Sequence, residues 1–237
     1  MTLALVDTRI SEASERGLLK RGFKLLKMPS AERLPRAMAS HPDMLVAKLG
    51  NNIITTAEYI DRAPHIFSDI REYAPHIKIH VTDEEFKEKY PFDAILNALV
   101  IGNRLFVKRD SVSKKVISIG CELGYEIVNT RQGYPACTVL PLSKRDAITS
   151  DRGLALTLSE WGISVCLIEN GSISLPPYEY GFIGGAAGVF GKDVYFLGNL
   201  KTHASHKLIE KKIKDLGMNA VSLSDEPLTD LGRIIFL

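Results

Sequence analysis

The same pattern of strands and helix occurs twice, in residues 136–169 (ACTVLPLSKRDAITSDRGLALTLSEWGISVCLIE) and in residues 182–216 (FIGGAAGVFGKDVYFLGNLKTHASHKLIEKKIKDL). In both stretches an apolar strand leads through a short polar turn to a second strand, and a segment of helical periodicity follows. In the first stretch a third strand, residues 163–169, completes the pattern. We interpret each stretch as one unit of strand, strand, helix and strand.

The unit recurs earlier in the chain. Glycines follow the predicted helices and precede apolar strands, as a left-handed helix cap would, at Gly22, Gly124, Gly162 and Gly217. Recurrence at roughly 40 to 50 residues is typical of propellers and arrays. Four complete units are predicted, over residues 36–84, 92–131, 134–176 and 181–225.

The remaining segments complement each other. Residues 1–30 supply a second strand, a helix and a third strand, whereas residues 228–237 supply only a first strand. Joined, they make a fifth unit, and pairing them closes a ring without exposed sheet edges. The sequence therefore predicts a single domain over residues 1–237.

Composition narrows the class of protein. The chain has 237 residues, a hydrophobic content of 45% and a formal charge of +2. A net charge this small creates no strong electrostatic field that would attract nucleic acid or an anionic membrane. No apolar run approaches the roughly 18 residues of a membrane-spanning helix. The three cysteines show no paired spacing, which indicates reduced thiols in the cytoplasm and no structural zinc. We expect no cofactor and no metal.

A ring of five such units resembles the pentein superfamily, the α/β-propellers that include guanidine-modifying enzymes and ribosome anti-association factors. The resemblance depends on the order of elements and on the turns Gly50-Asn51, Gly102-Asn103 and Gly191-Lys192. It implies a five-fold pseudo-symmetric α/β-propeller whose ring is closed by the terminal segments. An open α/β sheet of βαβ units is the alternative.

In penteins the first strand of each unit lines a central channel, so the resemblance implies that polar residues on these strands face a ligand. They come from five different units and are His41 with Asp43, Asp93 with Asn97, Cys137 with Thr138, Gly184 with Gly185, and Asp230. Asp43, Asp93 and Asn97 are the predicted ligand-binding residues among them.

Cys137 is the candidate nucleophile, because attack of a thiolate on an amidine or guanidine carbon is the reaction known for the family. A thiolate needs a nearby base or cation, for which His41 and, within the same unit, Asp151 are the candidates. The alternatives are that Cys137 is a small core residue and that Asp151 caps a helix. The family's late Gly-rich strand carries a cysteine, whereas residues 181–190 here contain neither cysteine nor histidine. The chain thus lacks the family's catalytic signature.

The segment PPYEYGFIGG, residues 176–185, has the least ordinary composition. One interpretation is a pocket wall in which Tyr178 and Glu179 stand at the mouth and the backbone of Gly184 and Gly185 meets a ligand. The other is tight packing at the centre of the ring, where only glycine fits.

These residues predict a protein that binds a small polar ligand in its channel, with thiol-dependent hydrolysis of an amidine, guanidine or amide as an extension. The alternative function is non-catalytic binding of a macromolecular partner.

Overall fold

The computed structural model describes residues 2–237 and contains five sheets of three strands each. In every sheet the first strand pairs antiparallel with the second, which pairs parallel with the third. In chain order the strands are β1 (Leu3–Asp7), β2 (Lys24–Met28), β3 (Ala47–Leu49), β4 (Asn52–Thr56), β5 (Lys78–Thr82), β6 (Leu99–Ile101), β7 (Arg104–Val107), β8 (Glu126–Asn129), β9 (Val139–Pro141), β10 (Asp146–Thr149), β11 (Ser164–Leu167), β12 (Ala187–Phe190), β13 (Asp193–Phe196), β14 (Asn219–Ser222) and β15 (Ile235–Phe236). The five-fold α/β-propeller is confirmed, and the open-sheet alternative is wrong.

Helices connect the second and third strands of each sheet, as parallel pairing requires. The connecting helices are α1 (Glu12–Leu19), α3 (Ala57–Arg62), α4 (Pro64–Tyr73), α5 (Lys114–Glu122), α7 (Arg152–Glu160) and α8 (His206–Asp215). Two single helical turns, α2 (Pro42–Leu45) and α6 (Pro135–Thr138), precede first strands instead. None of these helices is long and apolar enough to cross a membrane, and Met1 lies outside the described residues.

The ring closes through its terminal segments. β15 pairs antiparallel with β1, and Ala4 lies opposite Phe236 while Leu5 lies opposite Ile235. All five residues of β1 are buried, because β1 is the middle strand of its sheet and has a neighbour on each side. The predicted closure of the ring is confirmed.

Glycines end the helices where the sequence predicts. Gly124, Gly162 and Gly217 follow α5, α7 and α8 with φ values of +76°, +74° and +67°. In this left-handed conformation a Cβ is disfavoured, and the chain leaves the helix toward the next strand. The helices pack on the outside of the ring through one face; α4, for example, buries Ile66, Phe67 and Ile70.

The first strands are shorter than the sequence predicts. The apolar segments that begin at residues 44 and 136 predict first strands that start there. Residues 44–46 and 136–138 instead lie in or just after the helical turns α2 and α6. A proline at the start of each turn is the reason, since its fixed φ favours the first position of a helix. Residues 93–98 and 182–186 likewise precede β6 and β12 rather than belong to them. The polar channel residues therefore lie before the strands.

Hydrogen bonds across the ring axis connect these segments into a circle. Asp43 N donates to Gly232 O (3.1 Å), and Asn97 Nδ2 donates to Asp43 O (3.2 Å). Ala136 N donates to Asn97 Oδ1 (2.8 Å), and Gly185 N donates to the carbonyl oxygen of Cys137 (2.8 Å). The backbone N–H groups of Leu231 and Arg233 both donate to Gly185 O, at 3.1 and 2.8 Å. All five units thus hold the centre of the molecule in place.

Candidate active site

A cavity of about 330 Å³ opens at one end of the channel. We call it the thiol cavity. Its walls come from segments that precede the first strands, and from the residues between β11 and β12. The lining residues are Met38, His41, Tyr134, Cys137, Leu175, Tyr178, Glu179, Tyr180, Phe182 and Asp230. Cys137, His41 and an acidic residue, three groups that nucleophilic catalysis requires, therefore face one space.

Cys137 lies on α6 and is buried. Its Sγ accepts a hydrogen bond from Asn97 Nδ2 at 3.0 Å. Burial raises the pKa of the Cys137 thiol well above its usual range, and the charges of Asp43 and Asp230 raise that pKa further, against the Asn97 hydrogen bond. Without a ligand the group is a thiol.

His41 precedes α2 and is 1% exposed. Its Nδ1 lies 3.9 Å from Asp230 Oδ1 and its Nε2 lies 3.9 Å from Asp7 Oδ2. Burial lowers the pKa of His41, and the two carboxylates only partly offset this. Neither ring nitrogen has a hydrogen-bond partner among residues 2–237. The imidazole is neutral at pH 7 and has a nitrogen available to take a proton.

Asp230 comes from the segment that leads into β15. Its Oδ2 accepts from Phe182 N at 2.9 Å and its Oδ1 from Gly232 N at 3.1 Å, so the carboxylate is fixed beside His41. Burial raises the pKa of Asp230 to about 6, although the neighbouring His41 opposes the shift. The sequence placed Asp230 on the channel but gave no sign of its contact with His41.

Asp43 lies between the thiol cavity and the other end of the channel. Burial raises the pKa of Asp43 to about 6, against the effects of the Cys137 thiol and the Arg233 charge. No N–H or O–H group among the described residues donates to either carboxylate oxygen, and the Cys137 thiol is the polar group that interacts with the carboxylate. A buried carboxylate without such a donor is costly.

Asp93 is held by a tyrosine that the sequence analysis did not select. Tyr134 donates its hydroxyl to Asp93 Oδ2 at 2.5 Å and also lines the thiol cavity. Asp93 Oδ1 is buried and has no partner within residues 2–237. Burial raises the pKa of Asp93 against the Tyr134 hydrogen bond. The sequence signal for Tyr134 was its position directly before Pro135, which begins α6.

Other candidate residues lie at the mouth or outside the cavity. Tyr178, 48% exposed, and Glu179 stand at the mouth. A Cβ on Gly184 would come within 2.5 Å of three carbonyl oxygens, and one on Gly185 within 1.9 Å of Asp230 Oδ1. This close packing favours the second interpretation of the glycine segment. Asp151 is not on the cavity wall: its Oδ1 accepts from Leu154 N at 2.7 Å at the start of α7.

A metal is not suggested by the arrangement. Within residues 2–237 no three His, Cys, Asp or Glu side chains are grouped so that they would hold a metal ion. The cavity instead combines a buried thiol, a neutral imidazole and the buried carboxylate of Asp230.

Comparison with known proteins adds the fold family. The model of DUF6873, a family of unknown function, matches residues 5–235, and no curated protein matches the chain. Three solved structures are similar over their length. The DDAH from Pseudomonas aeruginosa, a mutant complexed with citrulline, is 12% identical with a TM-score of 0.56, and the alignment covers 94% of this chain and 91% of that one.

The inosamine-phosphate amidinotransferase from Streptomyces griseus is 13% identical with a TM-score of 0.54, covering 95% of this chain and 78% of that one. The N-terminal domain of ArgZ, an arginine dihydrolase from cyanobacteria, in a mutant bound to substrate, is 13% identical with a TM-score of 0.51, covering 95% and 92%. These neighbours are penteins. At such identities the likeness establishes the fold, and this chain has the pentein fold.

Proposed function

We propose that this chain, which belongs to DUF6873, a family of unknown function, binds a small amidinium or guanidinium compound in the thiol cavity and hydrolyses it with the thiol of Cys137. The observation that carries the proposal is that Cys137, His41 and Asp230 line one cavity. Two further buried carboxylates lie behind its wall, since Asp43 interacts with Cys137 and Asp93 accepts a hydrogen bond from Tyr134. The solved neighbours, which include an amidinotransferase and an arginine dihydrolase, support this class of substrate.

The buried carboxylates explain the preference for a cation. Asp43 and Asp93 keep three buried oxygens without partners among residues 2–237. An amidinium group is planar, carries one positive charge and offers parallel N–H donors that match a carboxylate. Asp230 lines the cavity, and Asp43 and Asp93 lie behind the lining residues Cys137 and Tyr134. The negative charge of these carboxylates attracts a cation in the cavity. A neutral amide or urea supplies the donors without the charge and would bind more weakly.

The cation also activates the nucleophile. The thiol of the free protein is protonated, because burial and two nearby carboxylates raise its pKa. A bound amidinium places a positive charge in the same cavity, which lowers the pKa of Cys137. The neutral imidazole of His41 accepts the proton, and Asp230 stabilises the imidazolium that forms.

The reaction then follows in two stages. The sulfur of Cys137 bonds to the amidine carbon, and the C–N bond breaks as the leaving nitrogen takes the proton from His41. In the second stage a water molecule loses a proton to His41 and bonds to the same carbon. The C–S bond breaks, the thiol regains its proton, and an amide or ureido product leaves. The net change is hydrolysis, with no oxidant or reductant.

Several residues receive supporting roles. Tyr178 and Glu179 contact the part of the ligand nearest the mouth, and Asn97 orients the Cys137 sulfur through its 3.0 Å hydrogen bond. Gly184 and Gly185 allow the backbone to pack against α6. We assign Asp151 to helix capping rather than to catalysis. The unpaired state of all three cysteines fits a cytoplasmic location, where thiols stay reduced.

The test compares Cys137→Ser with Cys166→Ser, a matched change at a cysteine outside the thiol cavity. Agmatine, arginine and acetamidine are the probes, and release of ammonia or amine is the readout. We expect Cys137→Ser to lower turnover by about a thousandfold or more while binding persists, and Cys166→Ser to retain turnover. Turnover that survives in Cys137→Ser would exclude the thiol mechanism.

Calorimetry on the same proteins separates binding from chemistry. Because Asp43 and Asp230 have pKa values of about 6 and the cation requires their ionised forms, affinity should rise with pH up to about 6 to 7 and then level off. If no cation binds at any pH, the substrate class is wrong. If cations bind and none is turned over, the protein binds this class of ligand without hydrolysing it, and the proposed chemistry is wrong.

A further inference from the structure

A second cavity lies at the opposite end of the channel. Its volume is about 350 Å³. The first strands of all five sheets contribute to its wall, and one lining residue from each is Lys48, Val100, Leu140, Val189 and Ile235. We call it the strand cavity. It faces the same Asp43 carboxylate from the other side of the ring centre.

Two cations face this space without carboxylate partners. Lys48 lies on β3, on the same strand face as Val46 and Gly50, which also line the cavity. It forms no ion pair or hydrogen bond within residues 2–237, and burial together with the charge of Arg233 lowers the pKa of Lys48. Lys48 and Arg233 share this partly buried space with one carboxylate, Asp43, so one of the two positive charges is left without a counter-ion.

Arg233 is the second cation. Its backbone has a φ of +72° between Gly232 and β15, which directs the side chain across the ring. Nη2 donates to Val139 O at 2.8 Å, the one hydrogen bond of the guanidinium to the residues that the structure describes. A guanidinium has five N–H donors. The remaining donors are available to a ligand.

The charges and walls select the kind of anion. Lys48 and Arg233 contribute two positive charges and Asp43 one negative charge, which leaves one positive charge to be neutralised. A monovalent anion fits this balance, whereas a phosphate would meet the Asp43 carboxylate with excess negative charge. The strand residues that complete the wall are mostly aliphatic. A volume of 350 Å³ corresponds to roughly a dozen water molecules, so the ligand is small.

We propose that the strand cavity is a binding site for a small aliphatic monocarboxylate, whose carboxylate group is held by Lys48 and Arg233 and whose hydrocarbon part packs against the first strands. The site is distinct from the thiol cavity, and its occupancy does not depend on chemistry at Cys137.

The probe is hexanoate, titrated by calorimetry and by ligand-observed NMR. We expect saturable binding that weakens by about tenfold or more in Lys48→Met, since a charged hydrogen bond is lost. Lys48→Arg, which keeps the charge, should retain binding within a few-fold. Lys192→Met, a matched change at an exposed turn, should behave like the unchanged protein. Circular dichroism of Lys48→Met and binding in Lys48→Arg guard against a simple loss of folding.

Other outcomes would overturn the proposal. Hexylammonium that binds as tightly as hexanoate would show that the hydrocarbon part alone is recognised. If inorganic phosphate competes with hexanoate at equal affinity, the strand cavity does not select a monocarboxylate. If Tyr178→Ala, at the mouth of the thiol cavity, weakens hexanoate as much as Lys48→Met does, the ligand occupies the wrong end of the channel. Absence of saturable binding would exclude the site altogether.

Discussion

The two ends of the channel are built from the same five units but carry opposite chemistry. The thiol cavity is lined largely by segments that precede the first strands, and it contains a thiol, an imidazole and the buried carboxylate of Asp230. The strand cavity is lined by the strands themselves, and it combines aliphatic walls with Lys48 and Arg233. Asp43 and its neighbours at the ring centre lie between the two.

The difference follows from backbone conformation. A strand pointing into a narrow channel presents every second side chain to it, and apolar side chains pack there at low cost. Before the strands, the helical turns α2 and α6 and the loops around Asn97 and Asp230 approach the axis with backbone groups exposed. Polar side chains such as Asn97 satisfy those groups. Irregular segments therefore supply the chemistry, and regular strands supply the walls.

The largest predicted effect concerns the packing that holds His41 at the thiol cavity. Gly232 has a φ of +69°, and a Cβ there would come within 2.1 Å of His41 Cβ. Gly232→Ala therefore combines backbone strain with a clash between two buried segments. We expect it to lower the free energy of unfolding by about 4 kcal/mol, measured by urea denaturation.

Gly171→Ala is the matched control, because Gly171 has a φ of +94° and no atom within 4 Å of the added Cβ. It carries the backbone strain alone and should cost about 1 to 2 kcal/mol. Equal losses in the two variants would mean that His41 does not depend on this contact.

Prediction from sequence succeeded where the signals are local. Gly124, Gly162 and Gly217 end helices because no other residue adopts their backbone conformation as readily. The recurrence of such glycine helix ends along the chain was enough to predict five units and the closed ring. The lengths of the first strands were wrong because the prolines at the start of α2 and α6 begin helical turns within apolar segments. Apolar residues suit a buried turn as well as a buried strand.

The candidate site was predictable only in part. Cys137 and His41 stood out as reactive side chains near apolar segments, and whether they act in catalysis remains a prediction. The contact between His41 and Asp230 joins units at opposite ends of the sequence, so it depends on ring closure and on Gly232. Arg233 gave no signal, because an arginine before the apolar residues 234–237 resembles a surface residue until its φ of +72° is known.

The next prediction tests the cost of the carboxylate between the two cavities. The pKa of Asp43 is raised from 3.8 to about 6, so the folded state keeps the proton at pH values where the unfolded chain has lost it. The contribution of Asp43 to stability is thus fully present below about pH 4 and is lost as the pH rises through about 6. At about 1.4 kcal/mol per pKa unit, the loss approaches 3 kcal/mol.

Asp43→Asn removes this dependence. Relative to the unchanged protein, the variant should gain about 2 to 3 kcal/mol in its free energy of unfolding between pH 4 and pH 7, whatever its stability at pH 4. Urea denaturation at the two pH values gives the difference. Asp225→Asn, at a surface carboxylate, serves as control. The structure implies that Asp43 is protonated in the folded state at pH 4. The same pH dependence in both variants would contradict this.

The smallest predicted effect concerns the strand cavity, where the unpaired cations should also reduce stability. Lys48 is charged at pH 7 but partly removed from water without a partner, and methionine keeps most of its hydrocarbon stem. Lys48→Met should therefore raise the free energy of unfolding by about 1 kcal/mol at pH 7, whereas Lys192→Met should change it by less than about 0.5 kcal/mol. The gain should shrink as the pH approaches 10.5, the ordinary pKa of lysine, because the pKa of Lys48 is lowered in the folded state and the wild-type side chain then loses its charge. A loss of stability in Lys48→Met would mean that Lys48 stabilises the channel strands. Unpaired buried charge would then lower stability at Asp43 but not at the strand-cavity end of the channel.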